Sequence, residues 1–430
     1  MQKAQVKSQV KSQVKSPWQW VPSLYFGQAI PYVVVMMLSV IMYKANGISN
    51  TDIALYTSWL YLPWVIKPLW SPFVDMFRTK RWWIVSLQLV IGAALGLVAL
   101  TTHLPSFFQV SLAVLWLMAF SSATHDIAAD GFYMLGLRQQ QQAAFVGVRS
   151  TFYRLGMLAG QGGLVYLAGQ LTERTGDVQF AWAVVFCVLA AMFLALCVYH
   201  HVILPRPGAD QPVHGDGANP LRDFFATFGA FFRQRDIWLI LGFILTFRLG
   251  ESQLLKLAAP FLMDPLAEGG LGMTTSQVGV AYSTVGVLAL TLGGLLGGYV
   301  ISRVGLKRCL WLMVFSVHIP DLVFVYLASA QPHDLVLISA CLALEQFGYG
   351  FGFTAMMMYM IMVADGVHKT AHYAICTGLM ALGMMLPGMV SGRIQEYLGY
   401  QHFFIYVCLM TIPAFIMAAL VKIDPQFGKQ

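Results

Sequence analysis

Twelve apolar runs, nearly all long enough to cross a lipid bilayer, follow one another with short polar connectors between them. A spanning helix needs about 20 apolar residues at roughly 1.5 Å of rise each. The runs lie at about 20–43, 53–73, 83–101, 107–134, 144–171 and 180–200, and again at 237–263, 278–301, 310–329, 335–363, 373–395 and 403–421. In hydrocarbon every backbone polar group must be satisfied within its own segment, so such runs are helices. Only 10% of the residues are charged and 58% are apolar, against roughly 25% charged in soluble domains. A water-soluble enzyme is excluded, and the connectors leave no room for an extramembrane domain of useful size.

The organisation is six spans, a break and six more. Residues 1–17, with the repeat QVKSQVKSQVKS, are too polar to be buried and lack the apolar core of a cleavable signal; they read as a disordered cytoplasmic tail. Residues 18–200 are expected to form one six-helix bundle and 236–422 the other, with 423–430 a second cytoplasmic tail. Residues 201–235 read as a cytoplasmic linker ending in an amphipathic helix, with Phe224, Phe225, Phe228, Phe231 and Phe232 on one face. With the N-terminus placed inside, 18 of the 26 lysines and arginines fall in the tails and even-numbered loops. Three fall in odd-numbered loops (Lys44, Arg174, Arg393) and five within spans. That bias puts both termini in the cytoplasm and accounts for the net charge of +7 without nucleic acid. The six cysteines have no metal-type spacing and read as small hydrophobes.

Two stretches match at equivalent places in the halves. WSPFVDMFRTKR (Trp70 to Arg81) follows the second span and GGYVISRVGLKR (Gly297 to Arg308) follows the eighth. Both approximate G-x-x-x-D-[RK]-x-G-x-[RK]-[RK], the basic turn that marks the major facilitator superfamily. The first has Ser71 and Arg78 for the glycines and Met76 for the first basic residue, while the second has Ser302 for the aspartate. The resemblance implies an all-α membrane protein of two pseudo-symmetric six-helix bundles. It also implies gating loops built on Asp75, Arg78, Arg81, Gly298, Arg303, Gly305 and Arg308, since a charged, tight turn can pin a helix end in one conformation and release it in another.

Ionisable groups at membrane depth cost about 2.5 to 3.5 kcal/mol on insertion scales, so each needs a partner or a task. Asp126 and Asp130 share a face of span four. Span five carries Arg149, the deeper Arg154, and Gln161 on the same face as Arg154. Span seven carries Arg248 and Glu251 at i,i+3, with Lys256 beyond; span ten carries Glu345, and span two Lys67 between two prolines. Asp130 with Arg149 reads either as a structural pair or as part of the working site. Asp126, paired with Arg154, is the expected proton-coupling carboxylate, with Asp130 and Glu345 as the other candidates. Arg248 and Glu251 read as a mutually neutralising pair lining the cavity, and Lys67 as able to snorkel. His125 reads as a packed histidine and MMMYM (Met356 to Met360) as core packing rather than a metal box. Asp321, after Pro320, has no functional assignment. Tyr25, Gln28 and Tyr32 on span one, Gln161 on span five and Gln346 on span ten are candidate hydrogen-bond partners for a sugar or, equally, polar groups satisfied between helices.

A closer resemblance lies in KPLWSPFVD, SATHDIAADGF, FYRLGMLAGQGG, IWLILGFILTFRLGE and EQFGYGFGFTAMMMYM. These motifs resemble the AmpG-like muropeptide permeases, a group whose relatives include acetyl-CoA transporter-like proteins and some siderophore importers. The resemblance implies proton-driven uptake of N-acetylglucosaminyl-1,6-anhydro-N-acetylmuramyl peptides across the bacterial cytoplasmic membrane for cell-wall recycling. The alternative is a siderophore or other organic-anion importer of the same superfamily. Carried over by position, the family's paired acids fall on Asp126 and Asp130, its basic residues on Arg154, Lys67 and Arg248, and its other acids on Glu251 and Glu345. The substrate-binding set is therefore Gln28, Lys67, Arg154, Gln161, Arg248, Glu251 and Gln346. The expected partners are a sugar-peptide, protons and lipid; a monomer is expected, with no cofactor and no metal.

Overall fold

The computed structural model describes residues 16–137, 139–212, 220–364, 369–425 and 427. The linker between 213 and 219 and nearly all of the N-terminal repeat lie outside the described residues. Nine helices among the described residues are long and apolar enough to cross a membrane. The last of them, 372–420, is two antiparallel passes joined at Gly399, where φ is 72°. Two further helical passes, 50–76 and 139–175, carry the polar residues of spans two and five. Counted this way the described residues make twelve passes, six on each side of the linker.

Large apolar side chains such as Leu100, Val198, Trp238, Leu295 and Val336 cover the outside of the bundle. On a soluble protein such a surface would aggregate; here it is the face that meets lipid tails. Cys187 is exposed on this surface while Cys309 and Cys376 are buried, so the cysteines are only partly the buried hydrophobes expected.

Close approach of helices depends on small residues, because lipid supplies no hydrophobic drive between apolar helix faces. In span ten (Leu335–Val363) the alternating glycines of GYGFGF sit between spans eight and nine. A Cβ on Gly350 would strike the Leu290 carbonyl, and one on Gly352 the Met313 carbonyl. That packing fixes the rotation of span ten and so aims Glu345 inward.

The two basic turns share a backbone device. Arg78 has φ 67° and Gly305 has φ 89°, at matching positions of the two copies. The turn needs a left-handed residue there, and in the first half an arginine bears the strain that glycine avoids in the second. Arg81 then donates to the backbone carbonyls of His201 and Leu204, while Asp210 accepts from the backbone N–H groups of Lys80 (2.7 Å) and Arg81 (3.1 Å). The turn after span two is thus tied to the end of span six and the start of the linker. Asp75 lies in the Leu62–Met76 helix, but its side chain is outside the described residues. In the second copy Arg303 stacks on Tyr299 at 5.3 Å, and Leu306 N–H donates to Phe427 O in the C-terminal tail. Gly298 has open space around it and Arg308 is exposed.

The linker ends in a helix, Pro220–Phe232, as its pattern predicts. Phe231 is buried against His372, whereas Phe225 and Phe232 are exposed. The aromatic face therefore splits between the bundle and the surface; the side chain of Phe224 lies outside the described residues.

Candidate functional site

The spans that carry the candidates are not regular helices. Span one is π-helical at Val34–Leu38, span five at Ala159–Leu164 and span eight at Gly279–Gly286. Span seven breaks between Ile237–Thr246 and Leu249–Met263, with Arg248 (φ −110°, ψ 19°) at the junction. Such turns widen or interrupt the hydrogen-bond ladder and present side chains and backbone to a central cavity. The π-helical turns of spans five and eight pack on each other across the two halves, with buried Gln161 inside the first of them.

Asp126 sits among donors. Gln28 Nε2 donates to its Oδ1 at 2.9 Å and Trp64 Nε1 to its Oδ2 at 3.2 Å, and Lys67 Nζ lies 3.9 Å from Oδ2. Arg154 is not its partner: that guanidinium donates instead to the Thr291 carbonyl of span eight at 3.0 Å, bridging the halves. The reason is reach. Gln28 and Lys67, on spans packed beside span four, fill the space around the carboxylate. Lys67 accordingly faces inward and does not snorkel. Asp130 pairs with Arg149 at 2.8 Å, as its position suggests, and also accepts from Tyr25 Oη at 3.2 Å. Arg149 lies over the Tyr25 ring at 4.4 Å, which makes this a locked structural cluster as well as an ion pair.

A cavity of about 180 Å³ lies next to Asp126, lined by Tyr32, Tyr61, Trp64, Lys67, Arg248 and residues of span eleven. Tyr32 and Trp64 meet edge to face at 5.5 Å. Arg248 lies over Tyr349 and Phe353, neighbouring rings 5.4 Å apart, with each ring centre 5.0 Å from the guanidinium carbon. The expected Arg248–Glu251 pair is absent, because the break at Arg248 removes the continuous helix that i,i+3 pairing requires. Both Glu251 carboxylate oxygens turn away and find no hydrogen-bond donor. Gln346 Nε2 donates to Glu345 Oε2 at 2.9 Å. Lys256 crosses to the other half, donating to Thr57 Oγ1 at 3.0 Å with Tyr61 5.0 Å away. The cavity thus offers two cations, aromatic walls and neutral hydroxyls, a set suited to a polar anionic solute with flat or ring-shaped parts.

His125, beside Asp126, is packed as expected. It meets Gln88 at 3.3 Å; Gln88 meets His200 at 2.9 Å, and His200 meets Ser23 at 2.9 Å. Met356, Tyr359 and Met360 are core.

The residues that sequence reasoning missed close the face opposite the termini. Lys44 forms an ion pair with Asp264 across the halves. Asn50 Nδ2 donates to Gln395 Oε1 at 2.8 Å, Tyr400 Oη donates to Asp264 Oδ2 at 2.5 Å, and Thr51 N–H donates to Glu396 Oε1 at 3.1 Å. Ser276 of span eight donates to Glu173 of span five. These groups surround a vestibule of about 710 Å³. Truncating Asp264 leaves Lys44 and Tyr400 with Asn50 alone and removes the one carboxylate that joins Lys44 to the other half, at about 1.5–3 kcal/mol for a bond to a charged group. Asp264→Ala is therefore expected to raise the open population of this face tenfold or more. A thiol reagent that cannot cross membranes reports it: Ser58→Cys, buried beneath the gate beside Gly388, in a chain without its native cysteines, should react correspondingly faster. Unchanged reactivity would remove the gate assignment.

A family model described as "Major Facilitator Superfamily" matches residues 23–317. The chain is 25% identical over 406 residues to the "Putative transporter AmpG 4" of Rickettsia conorii, covering 90% of this chain and 91% of that protein. It is 28% identical over 371 residues to the "Anhydromuropeptide permease" of Escherichia coli strain K12, covering 84% and 70%. Among solved structures, the nucleoside transporter NupG superposes with a TM-score of 0.69 at 17% identity over 94% of this chain and 98% of that one. An inward-facing bacterial homologue of the lysosomal transporter Spinster superposes at 0.68 and 15%, covering 93% and 94%. The chain is a multi-pass membrane transporter rather than an enzyme: it belongs to the Major Facilitator Superfamily and is AmpG-like within it.

Proposed function

We propose that the chain is a proton-coupled importer of anhydromuropeptides, GlcNAc-anhydroMurNAc sugars with or without their peptide, at the bacterial cytoplasmic membrane. The likeness to a protein named anhydromuropeptide permease over most of the chain carries the reading. The site supports it in chemistry. Sugar rings and acetamides suit the Tyr32, Tyr61 and Trp64 walls, with Gln28 bonded to the neighbouring Asp126, and the solute's carboxylates suit Lys67 and Arg248. Arg154, bonded across the halves, serves as a strut of the closed state.

Coupling follows from the contact between Lys67 and Asp126. While Asp126 is ionised it holds Lys67; when it takes a proton, Lys67 is freed for the carboxylate of the solute. One event then both loads the proton and completes the anion site, and no cofactor is required. The cavity of about 180 Å³ is smaller than the roughly 300–1,000 Å³ of typical ligand sites, so the halves must separate on one side to admit a disaccharide. With Lys44–Asp264 joined, that side is the one bearing the termini, which we assign to the cytoplasm from the placement of basic residues.

Two measurements test this. Reporter fusions at Pro207 and Glu268 are expected to signal cytoplasm and periplasm respectively, and the opposite signals would invert the direction of transport. In proteoliposomes, an imposed proton gradient should drive uptake of labelled disaccharide with and without its peptide, and loss of the sugars should cost more uptake than loss of the peptide. Transport of a ferric siderophore with uptake of neither muropeptide would replace this solute with the organic-anion alternative.

A further inference from the structure

We propose that Glu251, Asp321 and Glu345 form a second proton store, in the C-terminal half, in which three carboxyl groups share two protons. The inference rests on the proton-coupled reading above but places protons where that reading does not, and it brings in Asp321, a residue of an outer span. Ligand atoms of the three carboxylates lie within 4.8 Å of one another although they come from spans seven, nine and ten. All three side chains are fully buried. Both oxygens of Glu251, both of Asp321 and Oε1 of Glu345 have no hydrogen-bond donor among the described residues, and the remaining oxygen is held by Gln346.

Three anions cannot share such a volume. Each buried ion costs several kcal/mol to desolvate, and like charges a few ångströms apart add to that. Two protons remove both difficulties. They leave one negative charge, which Arg248, three residues before Glu251 and within electrostatic reach of it, offsets. They also turn donorless oxygens into donor–acceptor pairs, the arrangement by which neighbouring carboxyls share protons.

An independent group lies in the same neighbourhood. The Tyr282 hydroxyl on span eight is buried and unpartnered, and the charges nearest to it in effect are Glu345 and Glu251. The other titratable groups on which the cluster acts are Tyr349 on span ten and Cys408 on span twelve. His318, one turn before Asp321, is packed between Phe247 and Phe415. None of these supplies a fixed positive charge.

The store is connected to the cavity. Loss of a proton leaves Glu251 anionic and drawn to Arg248, pulling the guanidinium from its stack on Tyr349 and Phe353. Proton loading of the C-terminal half therefore sets whether Arg248 faces the solute.

The test needs no solute, so its failure is separate from any failure of the muropeptide reading. Infrared difference spectra of the purified full chain at neutral pH, in H2O and D2O, should show a protonated-carboxyl C=O band that shifts on deuteration. Glu251→Gln, Asp321→Asn and Glu345→Gln should each shift or remove that same band, because the protons are shared, while Asp321→Glu should keep it. Absence of the band in the wild type, whatever the variants do, overturns the proposal. So does a band that only one variant moves. Loss of the band on adding sodium or calcium, with a raised melting temperature, would show that a metal ion fills the cluster and would likewise overturn it.

Discussion

Asp126→Asn is expected to reduce pH-driven uptake to the level of empty liposomes while leaving solute counterflow within a few-fold of wild type. The asparagine keeps one oxygen, which can accept from Gln28 or from Trp64 but not from both, and it cannot carry a proton. It also leaves Lys67 without its carboxylate, at an insertion cost of about 2.5–3.5 kcal/mol if the cation stays buried and unpaired. Lys67 would then be available to the solute carboxylate whatever the pH, so exchange of solute for solute persists while work against a gradient does not. Asp126→Glu should recover part of the driven uptake, and Lys67→Gln should weaken counterflow as well, since it removes the solute's cation. The measurement is uptake under an imposed pH gradient beside counterflow in the same proteoliposomes. Driven accumulation by Asp126→Asn equal to wild type would move the coupling to Asp130 or Glu345.

What the sequence made legible and what it did not follow from the range of the interactions. Spans, the linker helix and the two basic turns depend on local composition, and each is found where its pattern lies. Asp130 with Arg149 was readable because both sit near the same end of neighbouring spans. The gate was not: Asn50 and Gln395 are 345 residues apart in the chain and Asn50 and Tyr400 are 350 apart, and no periodicity records such a meeting. Lys44 counted only as one of three basic residues out of place, yet its pairing with Asp264 explains why a lysine is tolerated there.

The other departures came from assuming regular helices. Spacing of i,i+3 predicts a contact between Arg248 and Glu251 only if the helix is unbroken, and the junction at Arg248 turns one toward the cavity and the other toward Asp321 and Glu345. Depth alone pairs Arg154 with Asp126. The π-helical turn that begins at Ala159, next to the glycines of AGQGG, lets span five approach span eight, and the arginine reaches the Thr291 carbonyl there. Nothing in a hydropathy profile carries that information.

Arg248 is the residue whose loss should most affect recognition of the solute as distinct from energy coupling. Its guanidinium rests on two neighbouring rings, so little rotamer entropy is lost when it binds a carboxylate through two parallel N–H donors. Charge-assisted bonds of this kind contribute about 1.5–3 kcal/mol, and each 1.4 kcal/mol is a factor of ten in affinity. Arg248→Gln is therefore expected to raise the half-saturating concentration for counterflow by about tenfold to a hundredfold. Arg248→Lys keeps the charge but loses the fork and the planar stack, and should fall between the two. Because the guanidinium also balances the neighbouring carboxyl cluster, the variants must first show unchanged monodispersity and melting temperature in detergent. Given that, an Arg248→Gln protein with wild-type half-saturation would mean that the solute carboxylate is bound elsewhere, with Lys67 as the remaining cation of the cavity.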